Sequence, residues 1–340
     1  MKGLAITNKG VEKVASKEIA EILNVDTTVN DFCIEFEVEK IEDLYELSYR
    51  SQSSSRVLLL LDNFELKELD DLLKRELDIS RIEEPYTISC KRIGEHDFKT
   101  VDVIEVLTKK FKKKLTFRNY ISELHVLIVN KNCYVGIDVS GIPLSKRDYR
   151  IFVNAFSIKA PIAYYLVRKS GYENGMTLLD PFCRDATIVI EAALFALSQS
   201  PRKFQKNKFL FSKKYEFSDA NIELKGKIIA GDSNFQNISA SKKNAKIAEV
   251  NKSIDFRRYN IEDLDIKVED ESVDCIVTSV GKRAPLNEFF RQAKHILKKK
   301  GKISILSVVE ITAPGWQLIS KEEVFMGKQK FYAFLFEKSD

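Results

Sequence analysis

A chain of 340 residues with 44% apolar and 31% charged side chains is long enough for two folded units, and its scattered 13 Gly and 7 Pro exclude a disordered or low-complexity chain. No window approaches the ~20 apolar residues of a membrane span, and the N-terminal MKGLAITNKG has no apolar signal core, so a soluble, cytoplasmic protein with no membrane partner is expected. The net charge of +5 is mild, while the 5 cysteines, with no CxxC pair, and the 3 separated histidines point to neither a disulfide framework nor a metal site.

The first third reads as two small α+β units. A strand, LAIT, leads into a helix over Lys9–Asn24, whose Val11, Val14, Ala15, Ile19, Ile22 and Leu23 keep helical spacing. In DFCIEFEV, Phe32, Ile34, Phe36 and Val38 alternate with Glu35 and Glu37, the pattern of a half-buried strand. Helical spacing returns in IEDLYELSYR, and RVLLLL from Arg56 is a buried strand. The second unit is predicted as a helix over Leu66–Leu77, the strand YTISCKR, a helix over Thr100–Lys114 with Val103, Ile104, Leu107 and Phe111 on its apolar face, and a hairpin turning at Lys131 and Asn132. Gly141–Arg150, GIPLSKRDYR, carries the chain onward as a polar, basic connection.

From about Phe156, strands and amphipathic helices alternate: SIKAPIAYYLVRKSG, TLLD, TIVIEAALFALS, KIIAGD, ISASKKNAKIAEV, SIDFRR, VDCIVTS, EFFRQAKHILKK and KISILSV. This predicts an α/β domain whose parallel sheet is covered on both faces, with an antiparallel pair around Gly327 at its end. Periodicity alone does not separate a methyltransferase from a dehydrogenase. In either, ligands lie at the carboxyl ends of the strands, so the loops after TLLD, IIAGD and CIVTS are where a cofactor is held. Asp180 and Asp232 end two of these strands, and Asp232, after Gly231, stands where a carboxylate grips ribose hydroxyls.

Basic residues come in bursts: KKFKKK at Lys109–Lys114, PRKFQKNKFLFSKKY at Pro201–Tyr215 and KKKGK at Lys298–Lys302. The middle burst has six Lys/Arg, no acid, and phenylalanines between them, which suits a phosphate backbone better than a salt-bridged helix face. For any one burst the plain alternative is a solvated face, or a lysine run complementing a helix dipole.

Together these segments resemble the THUMP-domain RNA methyltransferases, which transfer a methyl from S-adenosylmethionine to the exocyclic amine of guanosine in tRNA or rRNA. PLSKRDYR at Pro143–Arg150 is similar to the basic exit of a THUMP domain, and FVNAFSIKAPIAYYLVRKSG to the first helix of the catalytic domain. DPFCRDATIVIEAAL resembles its DPxCGSGTxxIEAA motif, and GDSNFQNISASKKNAKIAEV its GxD and Asn-Ala helix. The resemblance implies a ferredoxin-like unit over residues 1–62, a THUMP RNA-binding domain over 63–150 and a Rossmann-like class I methyltransferase domain over 151–340. It implies a cofactor set of Asp180, Arg184, Asp185, Ala186, Asp232 and Asn260, Ser279 in the catalytic motif, and tRNA or other structured RNA as partner. It also makes Cys183 a packing residue.

The departures from the family pattern fall on the chemistry. Arg184, Asp185 and Ala186 replace the GSG that lets the backbone pass the methionine end of the cofactor, and a non-glycine residue in a left-handed position costs roughly 1–2 kcal/mol. Asn260 replaces the acid that contacts adenine. Where NPPYG or DPPYG is expected, the chain reads Ser279, Val280, Gly281, Lys282, Arg283, so neither the amine acceptor pair nor the base-stacking Tyr is present.

Three readings follow. The first is a tRNA-binding protein on a methyltransferase scaffold that has lost most or all of its activity, binding through Lys109, Lys110, Lys112, Lys113, Lys114, Lys146, Arg147, Arg150, Arg202, Lys203, Lys206 and Lys208. The second is an active, divergent guanosine methyltransferase; the third is a non-catalytic partner subunit of an active methyltransferase, or a protein-interaction module. A phosphate held between Arg184 and Lys282 is a further expectation. Glu191 is expected to face solvent or a helix neighbour, Trp316 to cap the sheet edge, and Asp138 and Asp148 to be structural.

Overall fold

The computed structural model describes residues 1–111, 115–154, 156–220 and 222–338. The chain divides into one unit of residues 1–7, 16–144 and 205–217, and another of 8–15, 145–204 and 218–340.

The first unit is built on β1 (Lys2–Ile6), α1 (Glu12–Leu23, which begins in the other unit), β2 (Thr27–Asn30), β3 (Cys33–Glu37), α2 (Ile41–Arg50), β4 (Arg56–Glu65), α3 (Asp71–Lys74), β5 (Tyr86–Ile93), α4 (Thr100–Lys110), β6 (Ser122–Val129) and β7 (Asn132–Asp138). Its strands form one sheet in the order β2-β3-β1-β4-β7-β6-β5, with β5 and β6 parallel and the other neighbours antiparallel. Residue 62, the expected end of the ferredoxin-like unit, lies inside β4, which pairs with β1 through Arg56–Leu59 and with β7 through Leu58–Glu65. Alternate strand residues Leu4, Ile6, Cys33, Leu58, Leu60, Leu127 and Val129 supply one core. Ser51, Gln52, Ser53 and Ser54 are buried where Glu18 collects the run, accepting from Ser51 Oγ at 2.8 Å, Gln52 N at 2.6 Å and Ser53 N at 3.1 Å.

Two sequence expectations fail in this unit. The helix expected over Leu66–Leu77 shrinks to the four residues of α3, because its buried leucines, Leu66, Leu72 and Leu77, do not fall on one helical face, while Leu73 is 46% exposed. The Asp71 carboxylate instead takes the Lys67 and Glu68 amides at 3.0 and 3.1 Å. The aromatic spacing of the middle basic burst is a core signal. Phe209 and Phe211 are buried and stacked 4.6 Å apart, Phe211 stacks on Tyr45 at 4.4 Å, and Phe217 meets Tyr49 at 4.9 Å.

The second unit carries α5 (Ala160–Lys169), β8 (Thr177–Asp180), α6 (Thr187–Ala196), β9 (Lys227–Asp232), α7 (Phe235–Ile247), β10 (Asp255–Arg258), α8 (Leu264–Lys267), β11 (Val273–Val280), α9 (Leu286–Ile296), β12 (Leu297–Ser307), β13 (Trp316–Met326) and β14 (Gln329–Lys338). Strand order is β10-β9-β8-β11-β12-β14-β13, parallel from β10 to β12, with β14 antiparallel to both β12 and β13. This is the expected parallel sheet with its antiparallel finish. Apolar residues around the whole circumference of α5 and α6 fit helices pressed between sheet and neighbours. The Lys298–Lys302 burst lies within β12, where Lys298 Nζ meets Asp274 at 2.8 Å. Strand order reverses between β8 and β11, which opens a crevice at their carboxyl ends.

Candidate functional site

The loop leaving β8 keeps a glycine-like path without glycines. Arg184 has φ 51° and Ala186 φ 64°, both left-handed, and Ala186 N donates to Cys183 O at 2.6 Å. Each left-handed residue costs about 1 kcal/mol or more, offset by the packing of α6, which starts directly after Ala186. Asp185, between them, turns inward: its Oδ1 accepts from Thr187 N at 3.2 Å and Thr187 Oγ1 at 2.9 Å, and Arg150 approaches its other oxygen at 3.9 Å.

Asp180 is sealed beneath the loop. Its Oδ1 accepts from Thr278 Oγ1 at 2.7 Å and Phe182 N at 3.1 Å, which ties the end of β8 to β11. Burial pushes its carboxyl up to about 7, against the pull of these donors and of Arg184. Asp232, at the end of β9, is held by three donors from its own chain: Asn234 N at 2.9 Å, Arg184 N at 3.1 Å and Asn237 Nδ2 at 3.0 Å.

A cavity of about 840 Å³ opens at this end of the sheet, lined by Phe156, Lys159, Phe182, Arg184, Asp232, Asn237, Ser279, Lys282, Arg283 and Phe331 among others. Of the sequence-expected set, Arg184, Asp232 and Ser279 line it, and Asp180, Asp185, Ala186 and Asn260 do not. The Arg184 side chain crosses the cavity wall, donating from Nη1 to Phe156 O at 2.8 Å and to Ser279 Oγ at 2.9 Å, with its guanidinium 5.5 Å from the Phe156 ring centre. Burial pulls the Arg184 guanidinium below its usual range, but an arginine remains charged in water at any ordinary pH.

These residues do not fit S-adenosylmethionine. The Asp232 carboxylate, which would receive ribose hydroxyls, already accepts three protein donors, which leaves about one lone pair for two hydroxyls. Tyr259 does not line the cavity; it is buried in the core over the end of β9, where a Cβ on Gly231 would come within 1.9 Å of its hydroxyl. Asn260 is exposed and makes no side-chain cap to the turn it begins. The guanidinium of Arg184 holds the hydroxyl of Ser279 across the cavity.

Several basic residues expected to face RNA are structural instead. Arg147 is buried in a bidentate pair with Glu191, Nε to Oε1 at 2.9 Å and Nη2 to Oε2 at 3.1 Å, and Tyr149 donates to Glu191 at 2.7 Å. Glu191 therefore does not face solvent; it is wholly buried, as is Arg202. Lys110 caps α3 by donating to Leu72 O at 2.9 Å, Leu73 O at 3.0 Å and Arg75 O. Lys203 pairs with Glu249 at 2.9 Å, and Lys206 lies over Tyr49 and Phe217. Arg150 binds Thr187 Oγ1 at 3.2 Å. Lys109, Lys146 and Lys208 are exposed, and Lys112, Lys113 and Lys114 lie outside the described residues. Sequence reasoning missed Phe156, Lys159 and Asn237, none of which had a local signal.

Strand order, the ligand-end crevice and the antiparallel finish define the second unit as a Rossmann-like methyltransferase fold. Residues 147–307 match the family model of the RMKL-like methyltransferase domain. Over 242 residues the chain is 32% identical to a tRNA (guanine(6)-N2)-methyltransferase of Methanocaldococcus jannaschii, covering 62% of this chain and 63% of that protein. It is 27% identical over 296 residues to a ribosomal RNA large subunit methyltransferase K/L of Buchnera aphidicola, covering 76% of this chain and 42% of that one. The chain thus spans under two thirds of the length of these curated relatives. The crystal structure of TrmN from Thermus thermophilus superposes with a TM-score of 0.74 at 18% identity, over 99% of both chains. Among the described residues no helix is long and apolar enough to cross a membrane.

Proposed function

We propose that this protein binds structured RNA, tRNA above all, on the scaffold of an RMKL-like methyltransferase, and that it transfers methyl groups weakly or not at all. One observation carries the second half of this reading: Arg184 reaches over to Ser279, so the side chain standing in for the family's cofactor loop occupies the one standing in for its amine acceptor. A target amine then meets no acceptor at Ser279 free to position it. Relatives that act on tRNA and ribosomal RNA support the first half, as do the exposed Lys109, Lys146 and Lys208. The first unit is proposed to hold the ferredoxin-like and THUMP parts that seat the RNA, the two sharing β4.

Two measurements test this. The first is incubation of the purified chain with labelled S-adenosylmethionine and unmodified tRNA, alone and with cell extract: no incorporation is expected from the chain alone, and efficient turnover would overturn the loss of catalysis. Incorporation with extract and chain together that exceeds the extract alone would make the chain the partner of an active enzyme. The second is tRNA binding across salt: affinity should fall steeply as salt rises, and salt-independent binding, or no preference for folded tRNA over a random oligonucleotide, refutes the RNA reading.

A further inference from the structure

We propose that the cavity at the carboxyl ends of β8 and β11 binds the phosphate of a nucleotide, whose base stacks on Phe156. This assignment rests on the reading that methyl transfer has been lost from the cleft, and adds a ligand to it. The lining carries Lys159, Arg184, Lys282 and Arg283 against a single carboxylate, Asp232, which is already satisfied by three donors. Such a site favours an anion and disfavours a sulfonium cofactor, which brings a net positive charge.

Geometry supports a phosphate in particular. Arg184 is anchored by Nη1 alone, to Phe156 O and Ser279 Oγ, and among the described residues its Nε and Nη2 have no partner. That leaves a planar donor edge of the sort that binds two phosphate oxygens side by side. Lys159, Lys282 and Arg283 form no ion pair among the described residues and are exposed, so their charges are available to the same ligand. Phe156 is 66% exposed although it lines the cavity, and its ring already lies 5.5 Å from the Arg184 guanidinium. An exposed ring beside a cationic fork offers a base a stacking face that needs no particular sequence. At about 840 Å³, the cavity has the volume of a small-molecule site. The nucleotide has two sources, a free mononucleotide or a residue of an RNA strand.

The test is calorimetric titration of the full chain with adenosine monophosphate, adenosine and inorganic phosphate at low salt. Adenosine monophosphate should bind with sub-millimolar Kd, and adenosine at least tenfold more weakly. Replacing both surface cations, Lys282→Ala with Arg283→Ala, should weaken the nucleotide at least fivefold without moving Tm; Arg184→Gly, whose left-handed backbone suits glycine, should weaken it as much with a Tm change of only a few degrees. Competition against a labelled 5′-phosphorylated RNA oligonucleotide separates the sources: displacement by adenosine monophosphate assigns the site to the RNA strand, and nucleotide binding without displacement assigns it to a free nucleotide. Equal affinity for adenosine and its monophosphate overturns the proposal, as does binding of neither the nucleotide nor the phosphorylated oligonucleotide. If tRNA still binds while these probes do not, only this assignment falls; methyl incorporation by the chain alone is what removes the reading beneath it.

Discussion

The guanidinium of Arg184 donates to the hydroxyl of Ser279 at 2.9 Å, joining the loop after β8 to the end of β11 across the crevice where a parallel sheet of this order receives its ligand. Arg184→Gly severs that link and restores a residue suited to φ 51°. Relief of left-handed strain returns about 1 kcal/mol against two lost hydrogen bonds worth about 1 kcal/mol each, a net loss of about 1 kcal/mol, so Tm should fall by only a few degrees. Affinity for S-adenosylhomocysteine, read by calorimetry, should rise at least tenfold over the unmodified chain. An unchanged affinity would show that the Arg184 side chain is not what excludes the cofactor.

The buried Arg147–Glu191 pair gives a prediction of opposite character. Both side chains are fully enclosed and joined by two hydrogen bonds, with Tyr149 on the same carboxylate. Glu191→Ala leaves an arginine buried without its charge partner and should cost about 3–5 kcal/mol in urea unfolding. Exchanging both partners for apolar residues, Arg147→Met with Glu191→Leu, should cost much less, since no uncompensated charge remains. Equal losses in the single and double variants would contradict the pair's coupling.

The contrast between these two arginines shows where the sequence was legible. Periodicity marked most of the elements, the parallel sheet and its antiparallel finish, because a strand buried on both faces reads as an apolar run and a covered helix keeps its stripe. The short β2 went unmarked, since TTVN has neither alternation nor an apolar run. Charge was read less well. A buried Arg147 and an exposed Lys146 look alike in SKRDYR, and only the distant Glu191, 44 positions on, decides which one turns inward. Phe209 and Phe211 misled for the same reason: their partner Tyr45 lies far away in sequence, so a packed aromatic cluster looked like a nucleic-acid stripe. The left-handed turn after β8 has no glycine, which is visible locally, but the reach of Arg184 to Ser279 depends on the register of β8 against β11.

Corrected burial sharpens the RNA prediction. Lys109→Glu and Lys146→Glu, both at exposed positions, should each weaken tRNA binding and lower the slope of log affinity against log salt by about one. Lys110→Glu, by contrast, removes the cap on the Leu72, Leu73 and Arg75 carbonyls, and its effect should appear in thermal stability. A salt slope untouched by both exposed substitutions would show that the RNA lies elsewhere.

Asp180 should make stability depend on pH in the reverse of the usual carboxylate sense. Burial raises its folded value from 3.8 to about 7, so between these limits the folded chain holds a proton that the unfolded chain has released. Unfolding then releases a proton, and stability falls as pH rises through this window, by about 1.4 kcal/mol per unit and about 4 kcal/mol in total, before levelling above 7. Asp180→Asn keeps an oxygen for Thr278 and Phe182, both of which donate to Oδ1, and carries no charge to bury. The variant should therefore be the more stable of the two at pH 8 and converge with the parent as pH falls toward 4. Urea unfolding at pH 4, 6 and 8 measures the difference; a gap that stays constant across the three would mean that Asp180 is ionised in the folded chain throughout, with Thr278 and Phe182 sufficient to hold the charge.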